Sequence, residues 1–331
     1  MEELARMMRQ PKAKRRRVKG KLKGRERREA RDFYLMIMPW LVGFIFLTTI
    51  PLLLGLATAF SNYNGLNLKT IKFVEFDNFA RAVDLENKDF WEALANSFKY
   101  SLVVVPVGQI LSLGLAALLN QKIKGRAFFR MIYYIPAILP LAGAVSAWGM
   151  LWNKNSGLIN ALISLARPGT AINWIYDYFF FVLYMFVWWG AGGGMIIYLA
   201  GLQGVPEELK EASWIDGATK FQQFRHVTLP LLTPVIFFQT ILGIIGSLQV
   251  MDVPILLYGR TGLDGRLAMP RTMYTYMIYI YSQVFDFQRY GFGVALAWIF
   301  FAIVLVLTLL FLASSKYWVY YEVAQEGGDK A

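Results

Sequence analysis

The feature that most constrains the fold is a set of six long runs without a charged residue. Each run holds at least 21 residues and lacks Asp, Glu, Lys, Arg and His: Phe33–Phe60, Tyr100–Asn120, Met131–Trp152, Tyr178–Gln203, Leu229–Met251 and Tyr290–Ser315. A bilayer core about 30 Å thick needs roughly 20 apolar residues in an α-helix, because each residue rises about 1.5 Å. The runs also lack the alternation of apolar and polar residues that is typical of strands in a transmembrane β-barrel. The sequence therefore predicts an all-α, polytopic membrane protein with six transmembrane helices.

Composition narrows the function as well as the fold. Only 17% of the 331 residues are charged, below the roughly 25% of soluble domains, and 56% are hydrophobic. The absence of cysteine removes disulfides, thiolate metal sites and cysteine nucleophiles. The long runs contain no nucleophile–base or carboxylate pair, and no Gly-x-x-x-x-Gly-Lys-Ser/Thr motif occurs. We therefore expect no catalytic residue, no metal and no cofactor in this chain.

Positive charges predict the orientation of the helices. Fourteen of the 34 Lys and Arg residues fall within residues 1–31, before the first run. With the N-terminus inside, 23 of the 34 lie on the cytoplasmic side, as the positive-inside rule favours. We expect a basic cytoplasmic tail at 1–32, a transmembrane region at 33–315 and a cytoplasmic C-terminal tail at 316–331. The basic tail is expected to set topology and contact anionic lipid rather than to bind nucleic acid.

Three other segments carry structural predictions. Residues 61–99 interleave acidic and aromatic side chains, which predicts a short amphipathic helix outside the membrane. Thr272–Phe285 is uncharged but has only 14 residues and many tyrosines, so we expect a surface helix in the headgroup zone. The small residues within Trp188–Gly194 permit either close helix packing or unwinding beside a cavity.

A polar segment at residues 203–230 separates two of the long runs. Pro206 suits the first position of a helix, and the two glutamates that follow it favour the helix dipole. Asp216 and Gly217 indicate a turn. The segment therefore predicts two short helices that protrude from the membrane on one face.

The first of these short helices carries an apolar stripe. Three residues recur at helical spacing between charged flanks: Leu209, Ala212 and Ile215. Such a stripe outside the membrane favours docking into a groove of another protein. The alternative is a helix lying on lipid, which the acidic residues of the segment oppose.

The same segment resembles the docking loop of ABC importer permeases. That pattern reads Glu-Ala-Ala, three residues, Gly, nine residues, Ile, one residue, Leu-Pro. This chain keeps the spacing with the residues Glu211, Ala212, Ser213, Gly217, Val227, Leu229 and Pro230. Ser213 stands for an alanine and Val227 for an isoleucine, both small changes in volume. Neighbouring residues look like the carbohydrate-uptake branch of the family, and weaker similarity covers residues 33–315.

The resemblance implies the permease subunit of a type I importer in a prokaryotic cytoplasmic membrane. Its expected partners are a second permease subunit, which in this family is often non-identical, two cytoplasmic ATPase subunits that bind ATP and Mg²⁺, and an extracytoplasmic solute-binding protein. The residues implied to couple this chain to the ATPase are Leu209, Glu211, Ala212, Ser213, Asp216, Gly217, Leu229 and Pro230. His226, the only histidine, is expected to belong to this loop rather than to a metal site. After the fifth run, relatives often show Gly-Gly-Pro, whereas this chain reads Tyr-Gly-Arg-Thr-Gly at Tyr258–Gly262. The departure affects a segment that is expected to contact the binding protein.

The resemblance also implies that a solute passes near the bilayer midplane, partly along the fifth run. Polar side chains in lipid are costly and usually face the bundle interior, and sugars favour hydrogen-bonding groups beside aromatic faces. The candidate pathway residues are Trp188, Trp189, Ser247, Gln249 and Asp252. The alternative for each is an interhelical hydrogen bond or an interfacial anchor.

An ion-coupled secondary transporter or channel is the competing function. Proteins of that class usually place ionisable residues within their spans, and all six runs lack them. The sequence therefore favours an ATP-driven importer of a sugar or oligosaccharide, without naming the solute.

Overall fold

The computed structural model describes residues 24–67, 69, 71–258 and 266–320. Residues 1–23 and 321–331 of the predicted tails, and Gly259–Gly262 of the departure from the family, lie outside the described residues. The chain divides into two compact units at Gly55 and Leu56, and each is described by itself.

The described residues are almost entirely helical. The α-helices are α1 (Gly24–Phe44), α2 (Ile50–Ala59), α3 (Asp77–Val83), α4 (Lys88–Asn120), α5 (Arg126–Ile138), α6 (Leu141–Leu151), α7 (Leu158–Ala166), α8 (Trp174–Asp177), α9 (Phe179–Trp189), α10 (Gly192–Gln203), α11 (Glu207–Ile215), α12 (Lys220–Gln223), α13 (Leu229–Leu248), α14 (Asp252–Tyr258), α15 (Tyr276–Tyr281) and α16 (Tyr290–Trp318). Wider π-helical turns occupy Ile45–Thr49, Phe224–Thr228 and Ser282–Asp286, and a 3₁₀ turn occupies Arg271–Met273. The all-α prediction is confirmed.

Four helices are long and apolar enough to cross a membrane: Arg27–Ala59, Lys88–Asn120, Lys220–Leu248 and Tyr290–Trp318. Two bent pairs bring the number to six among the described residues if each pair counts as one span. Helices α5 and α6 meet at 99°, and α9 and α10 at 41°. The third and fourth runs are therefore broken helices rather than straight ones.

Prolines account for two of the irregular points. Leu139 is extended before Pro140, as the residue preceding a proline prefers, and this breaks the third run. Pro51 follows the π-helical turn Ile45–Thr49 in the first helix. A proline ring clashes with the carbonyl four residues earlier, so a wider turn at that point keeps the helix continuous.

In the unit that starts at Leu56, α4 is the central helix and packs against α9, α10, α13 and α15. One core cluster surrounds the first half of α4 and includes Tyr100, Leu248 and Tyr276. A second cluster surrounds its last turns and includes Leu119, Tyr198 and Leu232. These pairings make α4 antiparallel to α13, so the segment before α13 and the segment before α4 lie at opposite ends.

The prediction of a surface helix at Thr272–Phe285 is wrong. Tyr276 and Ile278 are fully buried and Tyr279 is 4% exposed, because this segment packs between α4 and α16. The side chain of Asn96 donates to the carbonyls of Thr272 and Tyr274 at 2.9 and 3.0 Å. A short uncharged segment thus enters the core, where distant residues satisfy its backbone.

Residues 61–99 contain the predicted short helix, but it is confined to α3. Phe90, Trp91 and Glu92 instead belong to the start of α4. Asn78 of α3 is buried and donates to the carbonyls of Ala59 and Ser61, both at 2.8 Å. The helix is therefore anchored to the segment that precedes it.

Candidate functional site

The polar segment folds as the short helix α11 followed by the first turns of a long helix that continues through the fifth run, so the prediction of two short helices is correct only for the first. Helix α11 is closed by its own backbone. It ends at Ile215 with Asp216 as its C-cap, and Gly217 follows with a left-handed φ of +78°. The amide of Gly217 donates to Trp214 O at 3.0 Å and that of Ala218 to Ser213 O at 2.9 Å. This is a Schellman motif, for which glycine is the favoured residue. The predicted turn is confirmed, and Pro206 stands just before the first helical residue rather than at it.

The second helix begins with a capping box and runs directly into the membrane. Thr219 Oγ1 accepts from the amide of Gln222 at 3.3 Å, and Gln222 Oε1 accepts from the amide of Thr219 at 2.8 Å. The helix then continues through the π-helical turn Phe224–Thr228, which gives room to the ring of Pro230. One continuous helix therefore extends from Lys220 to Leu248.

A small hydrogen-bond network ties α11 to the start of the long helix that follows it. Ser213 is buried, and its Oγ donates to Lys210 O at 2.7 Å. Gln223 Nε2 donates to the same carbonyl at 2.9 Å and to Ser213 Oγ at 2.8 Å. The serine that departs from the family pattern thus accepts a bond that alanine could not, and it joins α11 to the helix of the fifth run.

The outer face of this loop exposes apolar side chains. Leu209 is 43% and Ile215 is 86% exposed, and Ala212 lies beside them, so the predicted stripe is accessible. Sequence reasoning missed Trp214 and Phe221, which are 56% and 69% exposed. Large aromatic residues in a charged segment outside the runs were the available signal. The remaining predicted residues are exposed at Glu211 and Asp216 and half-buried at Leu229 and Pro230, where α13 begins.

A cavity of about 450 Å³ lies between α4, the α9–α10 break and α13. Its lining is mainly apolar, with five polar side chains spread along it: Tyr100, Gln109, Ser112, Gln239 and Ser247. Ser247 is buried and donates to Ser101 Oγ at 2.7 Å. The helix that carries Gln239 and Ser247 is the one that begins in the polar loop.

The small residues of the fourth run serve both of the uses that the sequence left open, because the helix breaks at Gly190 and Ala191, which line the cavity, and packs closely at Gly192. A Cβ on Gly192 would collide with the backbone carbonyl of Tyr133, so this glycine permits close packing of α10 on α5. Gly194 lines the cavity, where a Cβ would lie 2.7 Å from Ser112 Oγ and 3.2 Å from Gln239 Nε2.

Of the five candidate pathway residues, only Ser247 lines this cavity. Trp188 Nε1 donates to Val104 O at 3.4 Å, and Trp189 stacks on Trp148 with ring centroids 5.4 Å apart. Gln249 caps the end of α13 and Asp252 begins α14, and both are exposed.

The cavity residues of α4 were missed from the sequence. Gln109 accepts a hydrogen bond from the hydroxyl of Tyr198, and Ser112 donates to Ala191 O at 2.9 Å. Both residues are polar positions inside an apolar run, which was the same signal that identified Ser247. The sequence lacked the information that α4 faces α13.

These features define a class: a multi-pass helical membrane protein whose open cavity is joined by one continuous helix to an exposed polar loop. Residues 108–318 match the family described as "Binding-protein-dependent transport system inner membrane component". The chain belongs to this family, whose members are transport components. Membership confirms the resemblance to ABC importer permeases and favours it over an ion-coupled transporter or channel.

The similarity to relatives and to solved structures extends over most of the chain. It is 32% identical over 300 residues to the probable ABC transporter permease protein YesP of Bacillus subtilis, which covers 88% of this chain and 93% of that protein. It is 31% identical over 293 residues to the trehalose/maltose transport system permease protein MalF of Thermococcus litoralis, with 88% and 95% covered. A crystal structure of a bacterial ABC transporter involved in the import of the acidic polysaccharide alginate has a chain with a TM-score of 0.75 and 22% identity, covering 88% of this chain and 97% of that one. The last match shows the shared fold.

Proposed function

We propose that this chain is the permease subunit of an ATP-driven importer that moves a sugar or oligosaccharide into the cytoplasm. A trehalose/maltose permease and an arabinooligosaccharide permease among its relatives support a carbohydrate cargo. The solute is delivered by an external binding protein. A second permease subunit and two cytoplasmic ATPase subunits complete the complex, and ATP and Mg²⁺ bind to the ATPase. Both termini are cytoplasmic, as the distribution of Lys and Arg favours.

The observation that carries this proposal is the continuous helix Lys220–Leu248. Its first turns belong to the exposed loop, and its last turns carry Gln239 and Ser247 into the cavity. A groove on the ATPase would hold Leu209 and Ile215, and movement of that groove would tilt the helix. ATP binding and cavity opening are then two events that bias one conformational equilibrium.

The cavity is the proposed path of the solute. Gln109, Ser112, Gln239 and Ser247 would exchange hydrogen bonds with sugar hydroxyls, and Tyr100 would offer an aromatic face. Trp188 reaches the cavity wall through Val104, whereas Trp189, Gln249 and Asp252 would meet a solute only outside the cavity as it stands.

Two substitutions in the loop, one that reverses a charge and one that introduces a proline, test the proposal. In proteoliposomes containing the complete complex, we expect Glu211→Lys or Gly217→Pro to abolish sugar uptake and ATPase stimulation by the binding protein, with a normal amount of permease in the membrane. Asp177→Lys is the matched control, because Asp177 is also exposed and lies on the predicted outer side.

Two outcomes would contradict the proposal. Normal transport in the Glu211→Lys and Gly217→Pro variants would remove the coupling role of the loop. Uptake by the purified chain driven by a proton or sodium gradient, without any ATPase, would exclude an ATP-driven importer.

A further inference from the structure

Arginines gather in one place on the side predicted to face outward. With the predicted orientation, only 11 of the 34 Lys and Arg residues lie outside, and four of these converge near Phe287 and Phe292. The guanidinium carbons of Arg266, Arg271 and Arg289 lie 5.5, 5.9 and 5.6 Å from the centroid of the Phe287 ring. The guanidinium carbon of Arg81 lies 5.5 Å from the ring of Phe292. Because external loops usually contain few Lys and Arg residues, four arginines grouped on this side indicate a specific role.

These residues border a cleft of about 290 Å³, which we call the arginine cleft: Arg81, Asp89, Arg271, Gln283, Phe287 and Arg289. Arg271 already forms an ion pair with Asp89, and Arg81 lies 3.7 Å from Asp77. The guanidinium of Arg289 makes no hydrogen bond or ion pair with the described residues. Carboxylates therefore pair two of the three arginines in the lining, and the excess positive charge of the cleft is that of Arg289.

The cleft also holds an unpartnered polar side chain and an unusual backbone position. Gln283 is 5% exposed, and its Oε1 is buried without a hydrogen-bond partner among the described residues. Gln288 has a φ of +53°, a left-handed conformation that costs free energy in a residue other than glycine. This conformation lies between Phe287 and Arg289 and fixes their directions. Strained backbone of this kind clusters at ligand-binding regions, whereas Gln283 Oε1 is an acceptor and would bond to a donor of the partner rather than to a carboxylate.

Burial and hydrogen bonding make the floor of the cleft rigid. Burial raises the pKa of Tyr279, although the hydrogen bond to Asn87 and the nearby arginines oppose this. The protonated hydroxyl donates to Asn87 Oδ1 at 3.3 Å. Phe287 N and Arg289 N donate to the carbonyls of Ser282 and Gln283 at 3.0 and 2.8 Å. The guanidinium groups therefore stand on a preformed base.

We propose that the arginine cleft binds carboxylate side chains of the external solute-binding protein, an inference that rests on the proposed function. An arginine presents a planar fork that matches a carboxylate with two parallel hydrogen bonds, and Arg271 already forms an ion pair with the carboxylate of Asp89 within the chain. Arginine and aromatic residues are also the side chains enriched at the centres of protein interfaces. Membership of a binding-protein-dependent family requires such a partner on the outer face.

The test measures ATPase activity of the complete complex in nanodiscs against the concentration of the solute-binding protein that stimulates the wild type. We expect Arg289→Glu to raise the half-maximal concentration by about tenfold or more with an unchanged maximal rate, and Arg289→Gln to raise it by about threefold, because the charge attraction is reversed or lost. Wild-type affinity should fall as salt rises, and this dependence should weaken in Arg289→Glu. Arg167→Glu is the matched control, since Arg167 is also exposed on the predicted outer side.

Rescue and lipid exchange sharpen the result. An acidic-to-arginine substitution on the binding protein that restores the affinity of Arg289→Glu would support the pairing directly. If the Arg289→Glu defect occurs only in nanodiscs with phosphatidylglycerol and vanishes in pure phosphatidylcholine, the cleft binds lipid and the proposal is overturned. An unchanged half-maximal concentration, or a lost maximal rate alone, also overturns it. If no binding protein stimulates the wild type, the proposed function fails instead.

Discussion

Two segments that do not span the membrane, residues 206–228 and residues 271–289, are held in opposite ways. The first is ordered by bonds among its own residues, including the left-handed Gly217 and the capping box at Thr219. The second is ordered by distant residues, since Ser97 Oγ accepts from the amide of Tyr276 at 2.8 Å across 179 positions. A segment that protrudes must satisfy its backbone groups with its own residues. A segment that enters the core can be satisfied by residues of other helices.

The largest effect is expected from a substitution that removes the hydrogen bonds between residues 271–289 and a distant helix. Asn96→Leu keeps the approximate volume but leaves the buried carbonyl of Tyr274 and the partly buried carbonyl of Thr272 without their donor. At about 1–3 kcal/mol for each unsatisfied group, we expect a loss of about 2–5 kcal/mol, seen as a fall of about 5–10 °C in the apparent Tm of the purified protein.

Asn155→Leu is the control for that measurement, because Asn155 is exposed and its side chain makes no hydrogen bond to the described residues. An equal Tm for Asn96→Leu and Asn155→Leu would mean that the buried segment is held by packing alone. The contrast between the two segments would then lose its physical basis.

The difference between the segments also explains which parts of the fold could be predicted. The turn at Asp216 and Gly217 was readable because a Schellman motif is encoded by adjacent residues. The burial of Tyr276 was not, because its hydroxyl donates to Leu296 O at 3.0 Å and its backbone bonds to Ser97, and no local pattern indicates those pairings. A short run rich in tyrosine therefore suggested an interfacial helix.

The same limit applies to the candidate sites. The loop residues were found because the motif has fixed spacing along the chain. The cavity requires α4 to face α13, so Ser247 was found from its own run while Gln109 and Ser112 were not. Polarity within a run indicates an inward-facing side chain, but only tertiary packing decides which inward-facing side chains share a cavity.

The second prediction separates docking from stability in the loop. Ile215 is 86% exposed, so Ile215→Asp should leave the apparent Tm unchanged. If Ile215 anchors the loop in an ATPase groove, its loss costs about 2 kcal/mol of binding, which is roughly a 30-fold weaker affinity for the ATPase subunits. Co-purification and stimulated ATPase activity measure this.

Leu165→Asp is the matched control, because Leu165 is 82% exposed in α7 on the predicted outer side. ATPase subunits that bind the Ile215→Asp variant with wild-type affinity would remove the apolar stripe from the docking surface. A lowered Tm would instead show that the loop is part of the folded core.

A smaller effect is expected at Gly217, where the backbone and not the space around it imposes the glycine. No atom lies within 4 Å of the position that a Cβ would occupy, so Gly217→Ala costs only the left-handed conformation, about 1–2 kcal/mol. Hydrogen exchange of the α11 amides should accelerate by about tenfold, and Gly217→Asn should recover part of this loss. Gly169→Ala introduces the same strain at a φ of +81° in the outer loop and should leave α11 unchanged. Equal protection of α11 in wild type and Gly217→Ala would contradict the role of the motif.

The smallest effect is expected at Thr219, and it tests most directly whether the loop is self-contained. Thr219→Ala removes the side-chain half of the capping box, which costs about 1 kcal/mol, and Thr219→Ser should restore it. Because the second helix continues to Leu248, the loss should remain in its first turn: amide exchange at Gln222 should rise about fivefold while the apparent Tm stays constant. A fall in Tm as large as that of Asn96→Leu would mean that the loop, like the buried segment, depends on the rest of the fold. Loss of the cap would then destabilise the whole continuous helix and not only its first turn. The two segments would no longer differ in how they are stabilised.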